Sequence, residues 1–308
     1  MISHHAARLA LASLLSLCCL AGPTTVAAAA DLIVDNVRGS DLQNDRGLLG
    51  TPPTFGPYRT ITRALAAAGP GDRIVLTKTD RPYRECISLT GLTHSGTPTE
   101  PLTILGNGAT LDGSEPAPAE FWQAQPRQPD LWVLLRTPPG FGLLLMPEPA
   151  LQRVLSTGGP VPLAQLKPLD WTRQNGRIYL RTEPGLGPRN YPLRVTRQTT
   201  GITLYDVQHV VIEDLTVRGF RIDGINAADR VTEVLLRNVT TLENGRSGVS
   251  VGGASRVVLE GSVSAGNGES QLRTEGRGAL ALREVVADAT SAPAVEQDGG
   301  RLIGKPLE

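Results

Sequence analysis

Residues 201–293 fall into four blocks of 23 or 24 residues that can be written one under another: GITLYDVQHVVIEDLTVRGFRID, GINAADRVTEVLLRNVTTLENGRS, GVSVGGASRVVLEGSVSAGNGES and QLRTEGRGALALREVVADATSAP. Apolar residues recur in columns: Ile202, Ile225, Val249, Leu272; Val210, Val234, Val257, Leu280; and Ile212, Leu236, Leu259, Leu282. Within a block they alternate with polar residues, the period of two that marks strands. A unit this short cannot bury its own apolar side, so its strands must stack on those of the next unit, and the chain is expected to be a solenoid.

The period overlaps that of leucine-rich horseshoes, but their fixed Leu-x-x-Leu-x-Leu pattern is absent. Three short Val/Ile-rich strands per block, separated by Gly, Asn and Asp, fit a parallel β-helix better. One bend position runs Asp214, Asn238, Gly261, Glu284, and another places Asn244 above Asn267. Small polar residues stacked at a bend can hydrogen-bond along the coil axis, where backbone groups would otherwise be unsatisfied.

The N-terminal third adds IVDNVRGSDLQND at 33–45, YRTITRALAAAGPGDRIVL at 58–76, YRE at 83–85 and LTILGNGATLDGS at 102–114. With these, the chain resembles right-handed parallel β-helix proteins of the pectin-lyase-like superfamily over 31–114 and 201–304. The fold expectation is all-β: a β-helix with an N-terminal capping helix and an inserted β-rich subdomain. Ile61, Ala64, Leu65 and Ala68 make a helical stripe stopped by Gly69 and Pro70, and that helix is expected to plug the open end of the solenoid.

Residues 115–200 break the repeat. Two strand-like runs flank Asn175-Gly176, a hairpin signal, and the segment holds seven of the twelve aromatic residues. Similar insertions in the superfamily form a small β-rich subdomain on the flank of the helix, and some belong to glycosidases. The rings either form the insert's own core or present a platform for a sugar's C–H face; Trp122 and Trp171 are the expected exposed ones. The division is then a signal at 1–30, cap and first coils at 31–114, insert at 115–200, coils at 201–304 and a tail at 305–308.

Residues 1–30 have the layout of a secretory signal: Arg8, an apolar run from Leu9 to Leu20, and small residues up to Ala30. The run is shorter than the roughly 20 residues needed to cross a bilayer. The expected location is secreted or periplasmic, with no membrane attachment after cleavage. Cleavage would leave Cys86, His94 and His209, too few for a disulfide or a Cys/His zinc site. Cys86 is expected to point inward as a small hydrophobe. Thirty basic and thirty acidic residues supply no electrostatic footprint for nucleic acid.

Chemistry is expected where outward residues stack in rows. Consecutive coils lie ~4.8 Å apart, so Asp206 and Asp229, which end the runs ITLYD and INAAD, are expected to stand close together. Two such carboxyls suit the acid and the base or nucleophile of a glycosidase, or hold a hard cation such as calcium. The alternative is a pair of turn-capping aspartates. Asp223, Arg218 and Arg221 form a second cluster, with arginines spaced to clamp a uronate carboxylate. Asn226 and Arg273 belong to an outward row with Thr203 and Ser250. Elimination would require an arginine base, Arg221 or Arg273, because no lysine falls in the four blocks. The functions left open are a glycoside hydrolase-like enzyme, a polysaccharide lyase, and a non-catalytic binding, structural or adhesive protein. Each takes an extracellular polysaccharide or surface as its partner, with the chain a monomer and calcium the one cofactor left open.

Overall fold

The computed structural model describes residues 29–42, 56–155 and 159–307. The signal segment lies outside the described residues, except that the Ala30 N–H donates to Asp72 Oδ1 at 2.9 Å. Two parallel sheets wind into one solenoid. The first follows Asp31–Val34, Arg73–Leu76, Leu102–Asp112, Gln208–Arg218, Thr232–Arg237, Arg256–Glu260, Ala279–Arg283 and Arg301–Ile303, with short continuations such as Thr240–Leu242 beyond a bend. The second, called here the face sheet, orders Ile87–Thr90, Ile202–Tyr205, Asp223–Asp229, Ser247–Val251, Ser270–Glu275 and Val295–Asp298.

The columns read from the repeat are the register. Ile202 pairs with Ile225, Ile225 with Val249, and Val249 with Leu272. The other two columns pair likewise along the first sheet. These side chains are buried and form one continuous core, each contributing about 1.5–3 kcal/mol. The chain is an all-β parallel β-helix.

Bends carry the polar residues that the spacing marked. Asp214, Asn238, Gly261 and Glu284 all adopt positive φ, between 49° and 56°. The Asn238 amide donates to Asp214 Oδ1 at 3.1 Å. At the second bend the Phe220 N–H donates to Asn244 Oδ1, and the Asn244 N–H and Nδ2 both donate to Asn267 Oδ1, at 2.9 and 3.0 Å. Beside this ladder lies Gly248, where a Cβ would fall 2.1 Å from Ser264 Oγ and 2.4 Å from Thr241 Oγ1. Only glycine leaves room there for the hydroxyl pair.

The helix forms at Ile61–Ala67, capped by the Thr60 hydroxyl, which accepts from the Arg63 N–H at 3.1 Å. The Glu85 carboxylate takes the N–H groups of Ile61 and Thr62, each at 2.9 Å. Ile61, Ala64 and Leu65 face inward onto the first strands. Seven residues are too few for an isolated helix, so packing on the solenoid end supplies its stability.

The insert leaves the solenoid at the corner after Asp112 and returns there: the Gly113 carbonyl accepts the N–H groups of both Arg197 and Gln198. It holds a five-stranded and a three-stranded sheet. Asn175 and Gly176, at φ 50° and 70°, form the turn of the Asp170–Gln174 and Arg177–Arg181 hairpin.

Two expectations are corrected. Trp122 and Trp171 are 6% and 3% exposed inside the insert's apolar cluster, so neither is a platform. Trp122 spends its indole N–H on the Ala117 carbonyl. Cys86 is exposed: inward alternation begins one residue later, with Ile87 and Leu89 buried.

Candidate functional site on the face sheet

The insert rests along one corner of the solenoid. Arg221 Nη1 donates to the Pro139 carbonyl at 3.1 Å, and Arg153 of the insert donates to the Gly268 carbonyl at 2.7 Å and pairs with Glu269. This corner is where the Asp223–Asp229, Ser247–Val251 and Ser270–Glu275 strands begin, so the insert borders the outer side of the face sheet.

A connected ionic strip crosses that side. Asp223 is fully buried, with Oδ1 accepting from Arg246 Nε at 2.9 Å and from the Ser247 hydroxyl at 2.6 Å, and Oδ2 accepting from Arg246 Nη2 at 2.5 Å. Arg246 Nη1 reaches Glu275 at 3.2 Å, and Glu275 also accepts from Arg273, which pairs in turn with Glu296. Burial pulls Arg246 down, but Asp223 and Glu275 outweigh it and hold it above its ordinary value. The row Thr203, Asn226, Ser250, Arg273, Glu296 lies in register beside the strip. The hydroxyls of Ser250 and Ser270 are buried and have no hydrogen-bond partner.

The expected clamp is corrected by this geometry. Asp223 is held by Arg246, one coil on, and by neither neighbour in sequence. Arg218 pairs with Asp112 at 3.3 Å, and Arg221 is turned to the insert. Arg273 sits between two glutamates, so neither proposed elimination base is a free guanidine.

Asp206 and Asp229 lie at the other end of their strands, exposed in part. A register irregularity after Leu204 pairs Tyr205, and not Asp206, with Asp229. The local step is therefore 24 residues, and Arg230 stacks on Asp206: its Nε lies 3.0 Å from Asp206 Oδ1, while Nη1 lies 3.7 Å from Asp229 Oδ2. The Arg230 hydrogen bond holds the Asp206 carboxyl below its ordinary value, the reverse of the shift two facing carboxylates produce. Asp229 caps the next turn, accepting from the Ala254 N–H at 2.8 Å. Asp223 and Asp229, six residues apart on one strand, are separated by ~20 Å. The eight predicted residues thus lie in three places: Asp206 and Asp229 at the far turn; Asp223, Asn226, Arg221 and Arg273 beside the insert; and Trp122 and Trp171 within its core.

Arg246, Glu275 and Glu296 were missed. The repeat carried a signal for them, since Arg246 follows Asp223 by 23 residues and Glu296 follows Arg273 by the same step. Also missed was Glu243, which faces a cleft of about 550 Å3 between insert and solenoid lined in addition by Met146, Arg153, Trp171 and Asn267. Burial pushes the Glu243 carboxyl above its usual range; Arg218 opposes this and Asp112 adds to it. Asp112, 1% exposed, is occupied at Oδ1 by the Ser114 hydroxyl and at Oδ2 by Arg218. Among the described residues no group of three His, Cys, Asp or Glu side chains is placed to hold a metal ion, and no helix is long and apolar enough to cross a membrane.

No protein-family model matches the chain, and no curated protein matches it. Solved structures do match in fold. One described as a glycoside hydrolase aligns at TM-score 0.51 and 12% identity, over 88% of this chain and 74% of its own. A complex of XylC with xylose aligns at 0.43 and 12%, over 88% and 68%, and the pectate lyase Pel9A at 0.41 and 11%, over 86% and 57%. At 12% identity the likeness to the glycoside hydrolase speaks for architecture alone, and the strand pairing has already drawn that architecture: a parallel β-helix.

Proposed function

We propose that the protein is exported and binds a neutral extracellular polysaccharide along the outer side of the face sheet, beside the insert, without cleaving it. The observation that carries this reading is the ionic strip. Each of its guanidiniums is matched by a carboxylate, so the strip offers fixed hydrogen-bonding groups without a free charge for a uronate. Hydroxyl-rich sugars suit such a surface, because each hydroxyl both donates and accepts. The solved structure described as a glycoside hydrolase on this architecture agrees in kind with a saccharide partner, but fold alone does not assign a reaction.

The local chemistry favours binding over catalysis. Asp206 and Asp229 share an arginine, and Asp229 also caps a turn. Glu243 has the raised carboxyl of a proton donor, which supports hydrolysis as a second reading. Hydrolysis also needs a carboxylate across the scissile bond, and Asp112 is buried with both oxygens engaged. A screen of the chain against neutral and acidic polysaccharides, reading retention, reducing ends and unsaturated ends in parallel, tests the proposal. Retention on neutral polymers without new ends is the expected result; new reducing ends would transfer the assignment to hydrolysis at Glu243.

A further inference from the structure

We propose that the insert carries a second saccharide-binding site, a cleft in which a pyranose ring stacks on Trp132 while Arg189 and Asp130 take its hydroxyls. The inference rests on the polysaccharide reading above and adds to it a separate place of contact.

The cleft, about 530 Å3, is lined by Trp132, Asp130, Ala119 and the loop Gly185–Arg189. Trp122 and Trp171 are enclosed in the insert core, whereas Trp132 is half-buried: it packs on the edge of that core and turns the rest of its ring to the cleft. An indole ring matches the C–H side of a sugar, and polar groups around it set the orientation.

Both walls are tied to one buried hydroxyl. Trp132 Nε1 donates to Thr182 Oγ1 at 3.3 Å, and the same Oγ1 donates to the Leu186 carbonyl of the opposite loop at 2.9 Å. The Gly187 N–H is held by Asn190 Oδ1 at 2.9 Å. The cleft is therefore pre-formed, which spares a ligand the cost of ordering it. Gly187 has an extended backbone, φ −139°, that any residue could adopt. What selects glycine is space, since a Cβ would fall 3.1 Å from Trp132 Cζ2. Asp130 Oδ2 already pairs with Arg181 at 3.0 Å, and Arg189 is exposed and makes no ion pair among the described residues. A guanidinium and a carboxylate flanking an aromatic ring supply donors and acceptors for vicinal hydroxyls.

The test is titration of the full chain with xylohexaose and cellohexaose, followed by tryptophan fluorescence, with retention on the parent polysaccharides measured alongside. Trp132 lines this cleft whereas Trp171 touches only the separate cleft at Glu243, so a saturable change in emission that depends on Arg189 and Gly187 is expected with at least one hexaose. Arg189→Ala, an exposed change that leaves the fold intact, should weaken that binding about fivefold or more, and Gly187→Val should abolish the emission change by crowding the ring. Retention on polysaccharide with emission unmoved and Arg189→Ala binding like wild type would overturn this site and leave the face-sheet reading standing. Absence of retention on every polymer would remove both.

Discussion

Arg246 grips Asp223 with two hydrogen bonds across a single step of the solenoid, Nε to Oδ1 at 2.9 Å and Nη2 to Oδ2 at 2.5 Å. The carboxylate is wholly buried and the arginine is 18% exposed, so the two partners are not equivalent. Arg246→Ala leaves a buried charge with only the Ser247 hydroxyl, and should lower stability in urea denaturation by about 3 kcal/mol. Asp223→Asn should cost less, because Arg246 keeps Glu275. Equal losses would contradict this ordering.

The Asn244–Asn267 ladder should outweigh Asn226 of the outward row in stability. Asn244→Ala strands the Phe220 N–H and removes one of the partners of Asn267, for an expected loss of about 2–4 kcal/mol. Asn226→Ala, in the outward row, should change stability by less than about 0.5 kcal/mol. Urea midpoints of the two variants compare them directly.

Glu243 gives stability a defined slope with pH. Its carboxyl is raised in the folded chain above the ordinary 4.5, so the folded state binds the proton more tightly than the unfolded state. The resulting stabilisation is complete below pH 4.5 and is lost as pH rises through the folded value. Glu243→Gln should flatten that part of the melting temperature–pH curve and make the chain relatively more stable at neutral pH. A variant curve parallel to wild type throughout would contradict the burial of this group.

The aspartates of the far turn should prove dispensable for ligand. Asp206→Ala combined with Asp229→Ala removes both carboxylate partners of Arg230, which keeps the Tyr205 hydroxyl, and leaves the border with the insert untouched. Polysaccharide affinity of the double variant should stay within about twofold of wild type, a difference of about 0.4 kcal/mol. A tenfold loss would move the binding surface to that turn.

The solenoid was legible because stacking forces periodicity: Ile225, Val234 and Leu236 must repeat one coil on or lose their core. The bends were legible for a similar reason, since Asp214 and Asn238 occupy left-handed backbone that few residue types tolerate. The neighbours of Asp206 were not, because one irregular pair after Leu204 shifts the step from 23 to 24 and puts Arg230 where Asp229 was expected. The insert offered no repeat to count against. Nothing in the local sequence distinguishes Trp132 from Trp122 or Trp171; their burial is decided by which strands the Asn175-Gly176 hairpin meets.

The most direct measurement is the dissociation constant for a neutral polysaccharide of wild type, Asn226→Trp and Arg237→Ala. Asn226 lies in the outward row of the face sheet, and Arg237 lies on the first sheet, paired with Glu213 and Glu260. If the polymer lies along the face sheet, the bulky ring at 226 weakens binding at least tenfold, about 1.4 kcal/mol, while Arg237→Ala binds as wild type. Unchanged affinity in Asn226→Trp, with the fold intact by circular dichroism, would contradict the account.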